Sequence, residues 1–292
     1  MTLRRAVGTG LLVATTAAAA AALGARAVLQ HQAAVAREAI GKPLGEDAPH
    51  ADRVFKKRLG STIDLLVLGD SIAAGLGADG PRGTLGARLA RQLAKRTDRA
   101  VRLRTAAVVG SESSMLDAQL ASLPDGYRPD VTVVVVGGND VTHRVPVAES
   151  VAHLDRCVAA LRARGSAVVV GTCPDLGALT PVPQPLRALG SRASRQLAAA
   201  QRESVVRQGA WAVSLADVVG PFFITNPDEM FSLDRFHPSS LGYKRTAKAM
   251  LPSVLAALGE HDEVPFGHVP PVVLETPEEE PRSRLNGRAP TG

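Results

Sequence analysis

Short apolar runs alternate with longer amphipathic stretches along the middle of the chain. Five runs have the length of a strand and are largely apolar, and the third has Val at five of its six positions. Apolar runs of this kind are typical of strands that are covered on both faces, as in parallel sheets. The alternation of strands and helices predicts an open, doubly wound α/β sheet. The predicted strands are 65–68, 101–109, 131–136, 167–170 and 211–215, and the predicted helices are 83–97, 111–122, 147–163, 186–207 and 240–257.

The first 25 residues have the pattern of a targeting segment. Arg4 and Arg5 precede residues 6–25, which carry no charged side chain and as a helix are long enough to cross a hydrocarbon core. Two interpretations stay open, a cleaved export signal and a retained membrane anchor. In either case the positive residues stay inside, so the remaining chain is predicted to be extracytoplasmic, either membrane-anchored or secreted.

The segments on either side of the central domain differ from it in composition. Residues 26–60 are predicted to form a helical, partly charged spacer with a weak apolar stripe. Residues 260–292 are rich in Pro and Glu and are predicted to be a disordered tail. The folded domain is therefore predicted to span residues 61–259, which is a comfortable size for one domain.

The composition excludes several classes of protein. Of the 292 residues, 45% are hydrophobic, as in ordinary globular domains, but only 3% are aromatic, too few for a platform that stacks single-stranded nucleic acid. The net charge is +6, and its basic stretch over residues 88–104 is interpreted as a solvated helix face, so no nucleic-acid partner is predicted. Two cysteines, Cys157 and Cys173, are too few for a disulfide scaffold or a four-ligand zinc cluster.

Small and polar residues follow the first three predicted strands, at the edge where ligands bind in such sheets. Gly69 permits a sharp turn, and Ser71 would lie at the start of the next helix, where its hydroxyl can attack an acyl carbon if a base takes its proton. Asn139 can donate a hydrogen bond to a developing oxyanion, and the N–H groups of Gly110 and Ser71 can join it. Taken singly, each of these residues also fits a helix cap or a turn.

Asp234 and His237 stand three residues apart, directly before the last predicted helix. At that spacing the carboxylate can hold the Nδ1–H of the imidazole and leave Nε2 facing a nucleophile. Pro238 and Ser239 indicate the start of the helix, which fixes the position of His237.

Together these blocks resemble those of the SGNH (GDSL-type) esterase and acylhydrolase superfamily. The resemblance covers about residues 64–258. It implies a flavodoxin-like three-layer α/β/α sandwich with five parallel strands in the order 2-1-3-4-5, and it implies no metal or organic cofactor. The matching residues are Gly69-Asp70-Ser71-Ile72 with Gly75, Gly110, Gly137-Gly138-Asn139-Asp140, and Asp234-Arg235-Phe236-His237.

The resemblance also implies a role for each site residue. Ser71 is the implied nucleophile, His237 the general base and then acid, and Asp234 the partner that orients His237. The Ser71 N–H, the Gly110 N–H and the Asn139 side chain are the implied oxyanion hole.

One block departs from the family pattern. Many members carry an Asn two residues before the glycine of the second block and another Gly three residues after it. This chain has Val108 and Ser113 at those positions. The departure affects the role implied for Gly110 more than the roles implied for the other residues.

The sequence therefore predicts a serine esterase or acylhydrolase that cleaves a lipid ester or an acylated carbohydrate through an acyl-enzyme on Ser71. Two alternatives stay open: an acyltransferase that uses a sugar or lipid hydroxyl, and a catalytically silent carbohydrate- or lipid-binding module on the same fold. A phosphate-binding domain is disfavoured because Asp70 would repel the anion. The predicted partners are the ester substrate and, through the N-terminal segment, a membrane. The oligomeric state stays open, and the proline-rich segment 173–186 is a candidate lid or substrate-binding loop.

Overall fold

Seven strands and eleven α-helices make up the part of the chain that the computed structural model describes, residues 2–261 and 263–272, with side chains from residue 20 onward. The strands are β1 (Val54–Phe55), β2 (Thr62–Gly69), β3 (Ala100–Thr105), β4 (Val131–Val135), β5 (Ala167–Gly171), β6 (Trp211–Val213) and β7 (His268–Val269). The helices are α1 (Thr2–Ile40), α2 (Ser71–Ala74), α3 (Leu85–Thr97), α4 (Leu116–Ala121), α5 (Gly138–His143), α6 (Val147–Ala163), α7 (Leu186–Arg207), α8 (Leu215–Val218), α9 (Gly220–Thr225), α10 (Pro227–Met230) and α11 (Ser240–Ala257).

The strands form one sheet in the order β1-β3-β2-β4-β5-β6-β7. The five central strands are parallel and have the predicted order 2-1-3-4-5, while short antiparallel strands are added at the two edges. All five residues of β4 are buried, because the strand lies in the middle of the sheet and is covered on both faces. The prediction of an α/β fold with a parallel central sheet is confirmed, with two more strands than expected.

Helices cover both faces of the sheet and produce three layers. Alternate side chains of β2 point to opposite faces, so Leu65 and Val67 pack into a core with α3 and α11. Leu66 and Leu68 pack into a second core with α4, α6 and α7. Burial of these aliphatic side chains stabilises the layers by about 25 cal/mol for each Å² of apolar surface removed from water. The loops that follow the parallel strands therefore meet at one edge of a well-packed sheet.

The sheet extends beyond the predicted range of 61–259 at both edges. β1 precedes that range and pairs with β3, and β7 follows it and pairs with β6. The side chain of His268 in β7 is buried, and its Nδ1 lies 2.7 Å from Ser253 Oγ of α11. These contacts account for regular structure within the predicted tail. The rest of that tail, residues 273–292, lies outside the described residues.

The predicted helical spacer over residues 26–60 is helical only as far as Ile40, where α1 ends. Pro43 follows shortly afterwards. Proline has no N–H to donate within a helix, and it restricts the residue before it to extended conformations. Beyond Ile40 the spacer prediction is therefore wrong, and the chain runs without a helix to β1.

The predicted leader of residues 1–25 lies mostly outside the residues whose side chains are described, so it stays a prediction. Among the residues that the structure describes, no helix is both long enough and apolar enough to cross a membrane. Further along α1, Gln32 Oε1 accepts a hydrogen bond from the Leu186 N–H at 3.0 Å, and its amide donates to the Gln184 carbonyl. These bonds join α1 to the start of α7.

The sequence pattern missed three short helices, α8, α9 and α10, between β6 and α11. Each is only four to six residues long, which is too short for an apolar periodicity to be recognised. Pro221 and Pro227 lie at the beginning of α9 and α10, where the missing N–H is not needed by the helix. The segment leads the chain from the end of β6 to the loop before α11.

We expect the stability of the fold to depend on pH through His268. Burial lowers its pKa from the ordinary value of 6.5, so below that pH the unfolded chain binds more protons. The contribution is complete above about pH 6.5 and is lost as the pH falls through the lower pKa of the folded state. Between about pH 7 and 5, the free energy of unfolding in urea should therefore fall more steeply in the native chain than in His268→Gln.

The control for this measurement is His261→Gln, because His261 is exposed. That substitution should leave the pH dependence of the unfolding free energy unchanged. Equal slopes for the native chain and His268→Gln would contradict the assignment of the effect to the buried ring.

Candidate active site

The turn after β2 places Ser71 at the first position of α2. Gly69 has a φ of 129°, and a Cβ at this residue would lie 1.8 Å from the carbonyl oxygen of Val135. Asp70 donates its N–H to the same carbonyl at 3.0 Å, and its Oδ1 accepts from the Ile72 N–H at 2.9 Å. Asp70 is therefore the N-cap of α2, and Ser71 begins the helix with 7% of its surface exposed.

Ser71, His237 and Asp234 form a continuous chain of hydrogen bonds. Ser71 Oγ lies 3.0 Å from His237 Nε2, and His237 Nδ1 lies 2.5 Å from Asp234 Oδ2. Because the carboxylate accepts at Nδ1, the neutral imidazole carries its proton there and presents an unprotonated Nε2 to the serine hydroxyl. The structure thus brings together the three residues that the sequence predicted as nucleophile, base and orienting acid.

A tight local turn holds Asp234 beside His237. Asp234 Oδ1 accepts hydrogen bonds from the Phe236 N–H at 3.0 Å and from the His237 N–H at 2.9 Å. Burial alone would raise the pKa of Asp234, but the bonds from the His237 ring and from these two N–H groups outweigh it, so the pKa lies below its ordinary value. The carboxyl group is therefore ionised at neutral pH.

The start of α11 fixes the chain on the other side of His237. Ser239 is the N-cap of α11, and its Oγ accepts hydrogen bonds from two N–H groups of the first turn. Pro238 forms a single antiparallel bridge with Phe231, and the His237 carbonyl accepts from the Ser232 N–H at 2.8 Å. The helix start predicted from Pro238 and Ser239 is confirmed.

The two remaining predicted residues, Asn139 and Gly110, differ in their placement. Asn139 lies on α5 and lines the same cavity as Ser71, and its Nδ2 donates to the Ser111 carbonyl at 3.0 Å. A side-chain amide has two N–H groups, so one is left for a ligand in the cavity. Gly110 lies in an exposed turn after β3 and is absent from the described lining of the cavity. The structure therefore brings Asn139 to the site but leaves Gly110 beside it.

The loop after β3 is held in place by α5 and α6. Asp140, which is 1% exposed, accepts from the Ser113 N–H at 3.1 and 3.2 Å. Ser113 Oγ in turn lies 3.0 Å from Ser150 Oγ on α6. The buried hydroxyl of Ser113 is accommodated by this partner.

An apolar cavity lies beside Ser71 and His237. Its volume is about 80 Å³, which is enough for several non-hydrogen atoms. Ser71, Asn139 and His237 are among its polar lining residues. The main apolar lining residues are Ile72, Leu176, Leu179, Leu215, Val219, Phe223, Phe231 and Phe236.

One wall of the cavity comes from the predicted substrate-binding loop, residues 173–186. Most of the segment 174–179 lines the cavity. Asp175 fastens it to α7, because its Oδ2 accepts from Arg195 Nε at 2.8 Å and its Oδ1 accepts from the Gly177 N–H at 2.8 Å. This part of the loop is therefore a braced wall of the cavity.

A second wall of the cavity comes from the helices that the sequence pattern missed. Leu215 and Val219 lie in and after α8, Phe223 lies in α9, and Phe231 follows α10. The rings of Phe223 and Phe231 meet edge to face with their centroids 4.8 Å apart, a favourable aromatic geometry. The shape of the cavity thus depends on a segment without a recognisable periodic pattern.

Two buried glutamines that sequence reasoning also missed hold the ends of the strands. Gln201 of α7 accepts from the Cys173 N–H at 2.7 Å and donates to the Val136 carbonyl at 3.0 Å, which links the ends of β5 and β4. Gln119 of α4 binds both the N–H and the carbonyl of Gly69. The only sequence signal for either is a polar residue on a helix face that is otherwise apolar.

A second carboxyl group lies buried beside the site. Burial raises the pKa of Asp70 to about 7, although the hydrogen bond from the Ile72 N–H and the charge of a protonated His237 act in the opposite direction. Near neutral pH, Asp70 is therefore partly protonated while Asp234 is ionised.

The described residues offer no cluster of metal ligands, and their two thiols are buried. Within residues 2–261 and 263–272, no group of three or more His, Cys, Asp or Glu side chains is placed to hold a metal ion. Cys157 and Cys173 are both free and buried. Burial raises the pKa of the Cys157 thiol to about 12, so it is protonated at neutral pH.

In sequence, the chain is similar to known esterases. The GDSL-like Lipase/Acylhydrolase family matches residues 67–245. A GDSL-like esterase from Mycobacterium tuberculosis is 38% identical over 259 residues, which cover 85% of this chain and 82% of that protein.

Several solved structures share the fold. A psychrotrophic esterase from a Pseudoalteromonas species is 18% identical with a TM-score of 0.53, and the match covers 67% of this chain and 98% of that one. An acetylxylan esterase from Geobacillus stearothermophilus is 19% identical with a TM-score of 0.51, covering 69% of this chain and 96% of that one. At these identities the likeness concerns the fold and not the substrate.

Proposed function

Because this chain belongs to the GDSL-like lipase/acylhydrolase family and is an ester hydrolase, we propose that it cleaves carboxylic esters in two steps through an acyl-enzyme on Ser71. The observation that carries this proposal is the chain of hydrogen bonds from Ser71 Oγ to His237 Nε2 at 3.0 Å and from His237 Nδ1 to Asp234 Oδ2 at 2.5 Å. A serine hydroxyl becomes an effective nucleophile when an adjacent base takes its proton, and this arrangement supplies that base.

In the first step His237 Nε2 removes the proton of Ser71, and Oγ bonds to the carbonyl carbon of the ester. The bond between that carbon and the alcohol oxygen then breaks, and the alcohol leaves with the proton from His237. In the second step a water molecule gives a proton to His237 and attacks the acyl carbon, which releases the carboxylic acid as Oγ regains its proton. Asp234 stays ionised and stabilises the imidazolium that forms in each step.

Negative charge on the carbonyl oxygen needs donors on the side of the carbon away from the base. We assign two of them: the N–H of Ser71, which as the first residue of α2 has no partner within its own helix, and the N–H of Asn139 that is left after its bond to Ser111. The Gly110 N–H stays a prediction, and Gly110 is not among the described residues that line the cavity.

The cavity limits the acyl part of the substrate but not its alcohol part. The cavity is lined chiefly by aliphatic and aromatic side chains and has a volume of about 80 Å³, so we propose that a short aliphatic acyl group occupies it. The cavity does not constrain the alcohol part of the ester, so lipid esters and acylated carbohydrates both fit the proposal. Water is the proposed acyl acceptor.

Replacement of the nucleophile tests the proposal directly. In the full chain, Ser71→Ala should lower the turnover of a butanoyl nitrophenyl ester by at least about 10³-fold, because the remaining groups cannot form the acyl-enzyme. A fluorophosphonate probe should label the native chain at Ser71, as located by mass spectrometry, and should leave Ser71→Ala unlabelled.

The matched control is Ser61→Ala, which removes a hydroxyl whose only described contact is with Arg99 Nε on the surface. Turnover and labelling by that variant should equal those of the native chain. Native turnover by folded Ser71→Ala would reject the acyl-enzyme proposal.

The cavity predicts a preference for short acyl groups. Across a series of nitrophenyl esters, kcat/KM should peak at roughly two to six acyl carbons and fall for longer chains, given the limited space. Leu179→Ala removes three carbons from the wall, so kcat/KM for a decanoyl ester relative to a butanoyl ester should rise about fivefold or more, since each methylene buried contributes about 0.8 kcal/mol.

Leu189→Ala serves as the control for the acyl series, because Leu189 is on α7, is 48% exposed and does not line the cavity. It should leave the acyl preference unchanged. A preference of Leu179→Ala identical to that of the native chain would place the acyl group elsewhere.

The role proposed for Asp234 predicts a loss of rate rather than a loss of fold. Asp234→Asn still offers an oxygen to the two N–H groups of the turn, but it no longer stabilises the imidazolium. We expect kcat to fall about 10²- to 10⁴-fold, while the thermal unfolding midpoint changes little. Exposed Asp79→Asn is the comparison and should keep native kcat. Near-native kcat in Asp234→Asn would remove this residue from the mechanism.

A further inference from the structure

Gln119 of α4 makes three hydrogen bonds that join two loops of the site. Its Oε1 accepts from the Gly69 N–H at 2.9 Å, and its Nε2 donates to the Gly69 carbonyl at 2.8 Å and to Ser111 Oγ at 3.1 Å. These contacts use both N–H groups and one acceptor position of the amide. Gln119 is 3% exposed and Ser111 is 0% exposed, so water has little access to the bonds.

The bonds to Gly69 fix a peptide group that glycine itself leaves free. A glycine tolerates many backbone conformations, so its carbonyl needs outside partners to keep one orientation. The carbonyl of Gly69 also accepts from the Val108 N–H at 3.1 Å, and the N–H of the same peptide unit, which belongs to Asp70, donates to the Val135 carbonyl at 3.0 Å. Ser71 is the next residue, so this peptide sets the direction in which α2 and its first side chain begin.

The bond to Ser111 extends the same restraint to Asn139. The Ser111 carbonyl accepts from Asn139 Nδ2 at 3.0 Å, and this bond decides which way the side-chain amide of Asn139 faces. Gln119 therefore connects the turn that carries the nucleophile with the residue that orients the second proposed oxyanion donor. One side chain links two groups that must keep a fixed relative position during attack.

We propose that Gln119 is a positioning residue for ester hydrolysis, which holds the Ser71 turn and the Asn139 amide in register. The inference rests on the proposed acyl-enzyme mechanism. A buried amide costs desolvation that an apolar side chain would avoid, so its place on this helix face needs a reason. Only an amide at this point supplies two donors and an acceptor together: leucine offers neither, and a glutamate carboxylate would confront the Gly69 carbonyl with an oxygen.

The first test is the kinetics of Gln119→Leu in the full chain, with a butanoyl nitrophenyl ester. We expect kcat to fall about 10- to 100-fold while KM stays within about twofold, because the ester enters the same cavity but the attacking and stabilising groups are misaligned. The rate of fluorophosphonate labelling of Ser71 should fall by a similar factor.

Gln119→Glu gives a readout that a loss of packing alone does not produce. The ionised carboxylate accepts from the Gly69 N–H but opposes the Gly69 carbonyl, whereas the protonated acid recovers one donor. The ratio of its kcat/KM to the native value should therefore rise as the pH falls from about 8 to 6. A ratio that does not change with pH would count against the positioning role.

Thr132→Val is the matched control, because it removes a buried hydrogen bond of 2.9 Å to Ser166 at the amino-terminal end of β4, away from the site. It should lose stability without losing kcat. If Gln119→Leu is folded and keeps native kcat while Ser71→Ala is inactive, the positioning role is overturned and the acyl-enzyme mechanism stands. If Ser71→Ala is active, the mechanism fails and the inference fails with it. If Gln119→Leu does not fold, the pH dependence of Gln119→Glu decides.

Discussion

The close approach of Gly69 to the carbonyl of Val135 is the constraint on which the rest of the site depends. Any Cβ at Gly69 would lie 1.8 Å from that oxygen, so only glycine allows β2 to end against β4 and turn at once. The next two residues take their places from this turn: Asp70 binds the same carbonyl and caps α2, and Ser71 begins the helix. A larger residue at position 69 would separate the two strands and move the serine with them.

The other part of the site, Asp234 and His237, is held together by contacts between residues that are close in sequence. Asp234 holds His237 by ring and backbone hydrogen bonds within four residues, so the fold has only to bring one atom, Nε2, to the serine. Gly77 makes that approach possible. A Cβ at Gly77 would lie 2.5 Å from the Pro238 carbonyl and 3.1 Å from the Cβ of His237, so the loop after α2 packs directly against the histidine turn.

The site thus has one part fixed by the ends of the strands and one part fixed by a local turn, and this explains which features could be predicted from the sequence. Ser71 and Asn139 follow strands whose carboxyl ends meet at one edge of a parallel sheet, and the Asp-x-x-His pair lies within one turn. Gln119 gives no comparable signal, since one polar residue on a short helix looks the same in sequence whether it faces water or a strand end. The helices α8 to α10 and the edge strands β1 and β7 are too short to show a period, so one cavity wall and both sheet edges had to come from the structure. For Gly110 the position after a strand could be recognised in the sequence. The orientation of its turn could not, because it depends on contacts with residues that are distant in sequence.

Two carboxyl groups lie beside His237, and their surroundings shift their pKa values in opposite directions. Asp234 receives hydrogen bonds from two backbone N–H groups and from the imidazole, which lower its pKa, whereas burial raises the pKa of Asp70 to about 7. In the proposed mechanism the imidazolium therefore has a fully ionised partner, Asp234, at Nδ1, whereas Asp70 is only partly ionised near neutral pH. A full negative charge at Asp70, next to the nucleophile, would oppose the negative charge that develops on the carbonyl oxygen. The burial of Asp70, which caps α2, therefore also limits the negative charge beside the carbonyl oxygen on which the reaction places a further negative charge.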